Sequence, residues 1–336
     1  MRVAVDAMGG DFAPREVVRG TLEAARLVPS VSKILLVGDE QRIRQELGSE
    51  ALPDKITIVH ASEAIGMDES PALAVRRKRD SSINRAIDLV KHGEADAMVS
   101  AGNTGAVVVS ATLKLRTLEG VARPAIATVM PTQGRPLVLL DAGANTDCEP
   151  VLLLQFGIMG SVYAELMLGQ AKPVVGLVSI GGEDIKGNEI TKGAFKLLEE
   201  SPLHFRGNVE GHDLFKGETD VAVCDGFVGN IILKTSESVA HAITHWLKRE
   251  FKRTPLRMLG ALLLSGALKS MKQRMDPELY GGAPLLGVNG TCIISHGASS
   301  ALAIRHAIRV ASESVHHHLN ETIVERIATI EGAMKP

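Results

Sequence analysis

The sequence predicts an α/β protein built on a mostly parallel sheet with helices on both faces. Two patterns predict it. Apolar runs of strand length alternate along the chain with helix-length amphipathic segments. Glycine-rich clusters fall where the apolar runs end, as strand-to-helix turns require. A chain of 336 residues suits one large α/β unit or two intertwined ones. A single unit over 1–336 is expected, with two intertwined subdomains at about 1–150 and 151–336 as the alternative; no low-complexity linker marks a boundary.

In order, residues 3–6 form a buried strand and residues 15–28 a helix, with Val17, Val18, Leu22, Ala25 and Leu27 on one side. Strands follow at 34–37, closed by Gly38-Asp39, and at 56–59. Residues 82–92 are helical, 97–99 a strand, 104–116 a helix and 136–140 a strand. In the second half, 151–168 is a helix, 174–180 a strand and 189–200 a helix. Residues 221–224 form a strand and 229–251 a long helix; 292–295 is the last strand, before helices from residue 299 onward.

Composition narrows the function. Lys and Arg number 37 against 39 Asp and Glu, a net charge of -2, so the chain is not globally basic as a nucleic-acid binder would be. Aromatics at 3% are too few for a base-stacking platform. Cys148, Cys224 and Cys292 lie far apart with no metal-ligand spacing, so neither a metal nor a disulfide framework is expected; three cysteines suit a reducing cytoplasm. The N-terminus lacks a signal-peptide layout. The apolar stretch at 258–268 is too short to span a bilayer.

Ligands of open α/β sheets bind beyond the carboxyl ends of strands. Six glycine clusters fall at such ends, at 6–11, 100–105, 141–145, 181–188, 225–230 and 295–299, each carrying Asp, Asn, Ser, Thr or His. Asn103-Thr104-Gly105 and Gly229-Asn230 each open a predicted helix, where free N–H groups and the helix dipole favour anions. No dinucleotide fingerprint, P-loop or Gly-x-Ser-x-Gly elbow occurs. These features point to a small anion held by backbone and neutral side chains.

Residues 245–275 stand apart. Lys248, Arg249, Lys252, Arg253, Arg257, Lys269, Lys272 and Arg274 oppose only Glu250, and they flank an apolar centre. A helix there places Leu256, Leu259, Leu262 and Leu263 on one broad face. The pattern is that of a helix lying in an anionic membrane surface, with a dimer or core helix as the alternative.

Ordered motifs run through the chain: AVDAMGGD (4–11), AVRRKRDSS (74–82), SAGNTGA (100–106), LDAGAN (140–145), IMGSVYAE (158–165), KGNE (186–189), GNVEG (207–211), DGFVGN (225–230), YGGAPLLGV (280–288) and SHGASS (295–300). On these the chain resembles the PlsX family of bacterial phosphate acyltransferases over essentially its whole length. The resemblance implies a three-layer, Rossmann-like α/β/α fold like that of isocitrate and isopropylmalate dehydrogenases and phosphotransacetylase. It implies transfer of a long acyl chain from acyl-carrier protein to inorganic phosphate, without a cofactor. The acyl phosphate then feeds a membrane glycerol 3-phosphate acyltransferase of phospholipid synthesis. A homodimer, peripheral on the inner face of the cell membrane, is also implied.

For that reaction the expected phosphate and substrate contacts are Gly102, Asn103, Thr104, Gly105, Asn145, Asn188, Gly229 and Ser299. The expected catalytic groups are Lys186, His296 and Asn230. Lysine supplies a cation, and a histidine can donate to an oxyanion or protonate a leaving thiolate; between His296 and Lys186 the leaving-group acid stays open. Asp6, Asp141 and Asp225 are expected to orient donors, because a carboxylate beside a phosphate dianion repels it. Cys224 ends an apolar strand and reads as a buried small hydrophobe, not an acyl carrier. The leucines of 245–275 are expected at lipid, and the basic flanks at lipid, at the acidic carrier protein, or at both. A short-chain phosphotransacetylase, a nicotinamide-dependent 2-hydroxy-acid dehydrogenase and a non-catalytic membrane scaffold are the competing readings.

Overall fold

The structure, a computed structural model, describes the backbone of residues 1–274 and 277–333. The strands are β1 (Arg2–Asp6), β2 (Lys33–Gly38), β3 (Ile56–His60), β4 (Ala97–Ser100), β5 (Ala125–Met130), β6 (Leu137–Leu140), β7 (Val174–Val178), β8 (His204–Val209), β9 (Val221–Val223), β10 (Ala283–Leu286) and β11 (Thr291–Ile294). The helices are α1 (Arg15–Leu27), α2 (Glu40–Leu47), α3 (Pro71–Arg77), α4 (Ser82–Lys91), α5 (Thr104–Leu115), α6 (Pro150–Leu168), α7 (Glu189–Glu200), α8 (Gly226–Phe251), α9 (Pro255–Leu263), α10 (Ser265–Arg274), α11 (Ala301–His316) and α12 (Leu319–Ala333).

The strands form one sheet in the order β3-β2-β1-β4-β11-β10-β5-β6-β9-β7-β8. β3, β2, β1, β4 and β11 are parallel, as are β6, β9, β7 and β8. Between them β10 and β5 pair antiparallel with each other and with their outer neighbours. The two parallel halves therefore run in opposite senses. The C-terminal strand β11 returns to the first half beside β4, so a cut at residue 150 does not separate the halves.

Side chains alternate across each strand, and both faces are covered. Val3, Val5, Ile34 and Leu36 pack with α1 and α11 on one face. Ala4, Leu35 and Val37 pack with α4 and α5 on the other. In the second half, Val138, Leu140, Val221 and Val223 meet α6 and α12. Leu137, Leu139, Ala222 and Cys224 face Val228 and Ile232 of α8. Burial on both faces is why the strands read as continuous apolar runs rather than as alternation.

Three strands and two helices lie outside the elements the sequence predicts. β8 is an edge strand whose Arg206, Gly207 and Asn208 interrupt any apolar run. β10 spans four residues and includes Pro284. β5 passes directly to β6 with no helix between, outside the β-α alternation. α2 and α3 are short, and each buries only two side chains. α6 is longer than the stretch at 258–268: its 19 residues include Gln155, Ser161 and Glu165 but are on average apolar, and long enough to cross a membrane. Most of its residues, from Leu152 to Ala164, are buried in the core of the second half.

Candidate active site

Asp6 ends β1, and its neighbour β4 ends at Ser100. The buried Asp6 carboxylate accepts from Ser100 Oγ at 2.6 Å and from the Met8 N–H at 3.1 Å. Ser100 Oγ in turn accepts from the Gly102 N–H at 3.0 Å. Burial raises the Asp6 carboxyl above the ordinary carboxylate range, and hydrogen bonds from Ser100, Ser82, Met8 and Gly9 oppose the rise. A Cβ at Gly9 would lie 2.5 Å from both Asp6 Oδ2 and Gly102 N, so only glycine lets the two turns meet. Asp6 thus binds the turns after β1 and β4 together, an orienting role.

Asn103 caps α5: its Oδ1 accepts from the Ala106 N–H at 3.0 Å. Its Nδ2 faces the carbonyls of Gly66, Met67 and Glu69 at 3.1–3.2 Å. The side-chain amide expected at phosphate is therefore already engaged, as cap and tether. Thr104 remains exposed, and the first N–H groups of α5, those of Thr104 and Gly105 included, have no carbonyl one turn back to bond.

A second turn lies at the end of β6. Asp141 Oδ1 accepts from the N–H groups of Ile126, Gly143 and Ala144 at 2.9–3.1 Å. Its Oδ2 accepts from Asn145 N at 2.6 Å and Asn145 Nδ2 at 3.0 Å. Asp141 is fully buried, and burial raises its carboxyl against those bonds. Asn145 Nδ2 also reaches the Pro124 carbonyl at 2.8 Å, so this amide too holds structure.

α8 begins at Gly226, three residues earlier than the sequence predicts. Asp225 is its cap, accepting from the Val228 N–H at 2.8 Å. Gly229 N–H bonds the Asp225 carbonyl at 2.9 Å and is not a free anion donor. Its function is steric. A Cβ at Gly229 would overlap the Asp141 carbonyl oxygen, so the first turn of α8 lies directly on the Asp141 turn. Asn230 is exposed beside Gly143, and its side chain makes no hydrogen bond among the described residues. Cys224 is buried and its thiol is pushed well up by burial and by Asp225 and Asp141, which disfavours an acyl-cysteine route.

α8 then crosses to the other half of the sheet. Lys234, two helical turns in, brings Nζ to 3.4 Å from Nε2 of His296. His296 follows β11 and is exposed; its Nδ1 accepts from the Ala298 N–H at 3.1 Å. That bond assigns the neutral ring's proton to Nε2. The sequence reading missed Lys234, although four-residue spacing from Asn230 places the two on one face of α8.

Other expected residues stand elsewhere. Lys186 and Asn188 lie after β7. Lys186 is exposed, with its stem against Gly181, and the described contacts join it to neither Asn230 nor His296. Asn188 Oδ1 caps α7 through the Thr191 N–H at 2.9 Å. Ser299 is a buried turn residue; Ser300 caps α11.

The described residues of the segment 245–275 do not form a core helix. α9 buries no side chain, and Leu256, Leu259, Leu262 and Leu263 are 79%, 54%, 68% and 80% exposed. Lys248, Arg249, Lys252 and Lys269 are exposed, while Arg253 and Arg257 pair with Glu250. The side chains of Lys272 and Arg274 lie outside the described residues.

A family model described as "Fatty acid synthesis protein" matches residues 1–322. The chain is 52% identical over 331 residues to a phosphate acyltransferase of Pelotomaculum thermopropionicum, covering 98% of this chain and 96% of that one. It is 50% identical to a phosphate acyltransferase of Desulforamulus reducens, with 99% of both covered. Among solved structures, a phosphotransacetylase from Streptococcus pyogenes matches with a TM-score of 0.60 at 18% identity, over 94% of each chain. The EutD phosphotransacetylase from Staphylococcus aureus matches with a TM-score of 0.57 at 16% identity, over 94% of each. At these identities the structural likeness concerns the fold, which is the phosphotransacetylase-related α/β/α arrangement that the sequence led us to expect.

Proposed function

We propose, from the fact that this chain belongs to the fatty acid synthesis protein family and to its phosphate acyltransferases, that its acyl donor is a long-chain acyl-carrier protein and its product an acyl phosphate for glycerol 3-phosphate acylation. The chain is an acyltransferase with phosphate as acceptor. The observation that carries the reading is the relationship to named phosphate acyltransferases across the full chain, at about half identity.

In the reaction a phosphate oxygen attacks the thioester carbonyl. A tetrahedral oxyanion forms, the C–S bond breaks, and the proton of hydrogen phosphate ends on the departing thiol. A thioester is already activated, so positioning and oxyanion stabilisation supply most of the catalysis. The turns after β1, β4 and β11 and those after β6 and β9 approach each other through α8, which supports a cleft there. Thr104, Gly105 and Asn230 offer uncommitted donors for phosphate. His296, protonated on Nε2, offers a donor to the oxyanion or the leaving sulfur. Asp6, Asp141, Asn103 and Asn145 hold the turns.

The exposed leucines of α9 beside basic side chains support a helix lying in an anionic membrane surface. The same basic residues suit an acidic carrier protein. Exposed Val239, Ile243 and Trp246 on α8 support a second copy as partner. We place the enzyme as a homodimer on the inner face of the cell membrane, where a membrane acyltransferase takes its product.

Long-chain acyl-carrier protein and inorganic phosphate, supplied together, should give phosphate-dependent loss of thioester and an acyl phosphate trapped by hydroxylamine. No phosphate-dependent loss overturns the reading; product from acyl-CoA alone favours a phosphotransacetylase.

A further inference from the structure

The contact between Lys234 and His296 joins two donors. His296 Nδ1 already accepts the Ala298 N–H at 3.1 Å, so the neutral ring presents Nε2–H to its other side. The group it meets at 3.4 Å is the Lys234 ammonium, which has three hydrogens and no lone pair. Neither can accept from the other. Lys234 also contacts Glu237 Oε2 at 3.2 Å, an i,i+3 pair on the same helix, which engages one of its hydrogens. The remaining ammonium hydrogens and Nε2–H have no acceptor among the described residues, and both side chains are exposed to solvent. An oxygen about 2.9 Å from each nitrogen fits there with ordinary hydrogen-bond lengths.

The place matters as much as the pair. Lys234 sits one helical turn from Asn230, which stands over the Asp141–Gly143 turn. His296 follows β11, whose neighbour β4 leads to Gly102 and Thr104. The two donors come from the two halves of the sheet. A shallow groove lined by Lys234, Thr235, Ser238, Val239 and Ala242 opens beside them.

We propose that Lys234 and His296 together grip one anionic oxygen of the reacting pair, making Lys234 a further catalytic residue. This rests on the acyl-transfer reading above. The oxygen has two possible sources: a non-attacking phosphate oxygen, or the thioester carbonyl oxygen as it becomes an oxyanion. Both are the same chemistry to the clamp, and kinetics separate them.

The experiment compares wild type, Lys234→Met, Lys234→Arg and Glu237→Gln with long-chain acyl-carrier protein and varied phosphate. Loss of a charged donor predicts an effect of about 10- to 100-fold in Lys234→Met. A raised KM for phosphate at unchanged kcat assigns the phosphate oxygen; a lowered kcat at unchanged KM assigns the oxyanion. Lys234→Arg should recover part of the loss. Glu237→Gln should stay within about twofold of wild type, as an exposed pair does. The proposal is overturned if Lys234→Met keeps both constants within that range. It is equally overturned if Glu237→Gln reproduces the loss, which would make the ion pair merely structural.

Inorganic phosphate titrated into the free protein, followed by 31P line broadening, is independent of acyl transfer. If wild type makes no acyl phosphate, the functional reading fails, and the titration alone decides the clamp. Weaker phosphate binding in Lys234→Met then supports it, and unchanged binding overturns it.

Discussion

Gly229→Ala tests the closest approach in the site. Gly229 is helical, without the positive φ that would demand glycine. By helix propensity alone, alanine would stabilise by roughly 0.5–1 kcal/mol. The packing opposes this. The added Cβ would overlap the Asp141 carbonyl oxygen, and it would come within 2.9 Å of the carbonyl carbon and 3.1 Å of Cys224 Sγ. Restoring ordinary contact requires a shift of roughly 1 Å between α8 and the Asp141 turn. That turn is fixed by five backbone and side-chain N–H donors on one carboxylate, so it yields little. Overpacking of this kind costs about 1–3 kcal/mol, which outweighs the propensity gain. An unfolding entropy of about 2.1 cal/mol/K per residue over 336 residues makes 1 kcal/mol worth about 1.4 °C. Scanning calorimetry should therefore show a midpoint lower by roughly 1–3 °C. The rate should fall further, by about a hundredfold, since a misplacement near 1 Å carries Asn230 and Lys234 with the helix. Gly260→Ala is the control: it lies within α9 with open space around its missing Cβ, so alanine should leave stability equal or higher. A Gly229→Ala enzyme as stable and active as wild type would refute the close-packing argument.

Asp141→Asn removes a buried charge yet should destabilise by about 3 kcal/mol or more in urea unfolding, because an amide NH2 cannot accept from Asn145; an unchanged midpoint counts against this. Asp6 titrates above its ordinary range when folded, so its contribution is complete below about pH 3.9 and is lost as pH rises through the folded value. The stability of wild type relative to Asp6→Asn should accordingly fall as pH rises above the ordinary carboxylate range; a difference flat in pH contradicts it. Cys224→Ala should keep full kcat, whereas trapping of an acyl-enzyme on Cys224 would restore the covalent route. Replacing Leu259 and Leu263 by Glu should release the protein from anionic vesicles and spare activity with soluble carrier protein; unchanged flotation with vesicles defeats the membrane proposal.

The parts legible in the sequence were those whose signal is local. Strands covered on both faces, such as β1, β2 and β4, show as short apolar runs, and the turns after them show as glycine clusters. What stayed hidden depends on neighbours distant in sequence. β5 and β10 belong to the antiparallel junction, which no β-α alternation announces. Asn103 and Asn145 have the composition of anion ligands, but their amides are spent on carbonyls from remote loops. Gly229 looked like a donor at a helix start and is instead a point of contact between backbones. Lys234 lies in plain view in the helix after DGFVGN, but only the approach of β11 from the C-terminal region brings His296 beside its ammonium.

α8 has 26 residues and is therefore about 39 Å long. Its first turn is clamped on the Asp141 turn, while beyond Gly229 it buries no residue and ends in the exposed apolar arm. One rod thus has its fulcrum at the chemistry and its free end among leucines. A tilt of a few degrees at the far end moves Lys234 against His296 by fractions of an ångström. On the proposed membrane placement, a surface that holds the arm would act as a load on this lever.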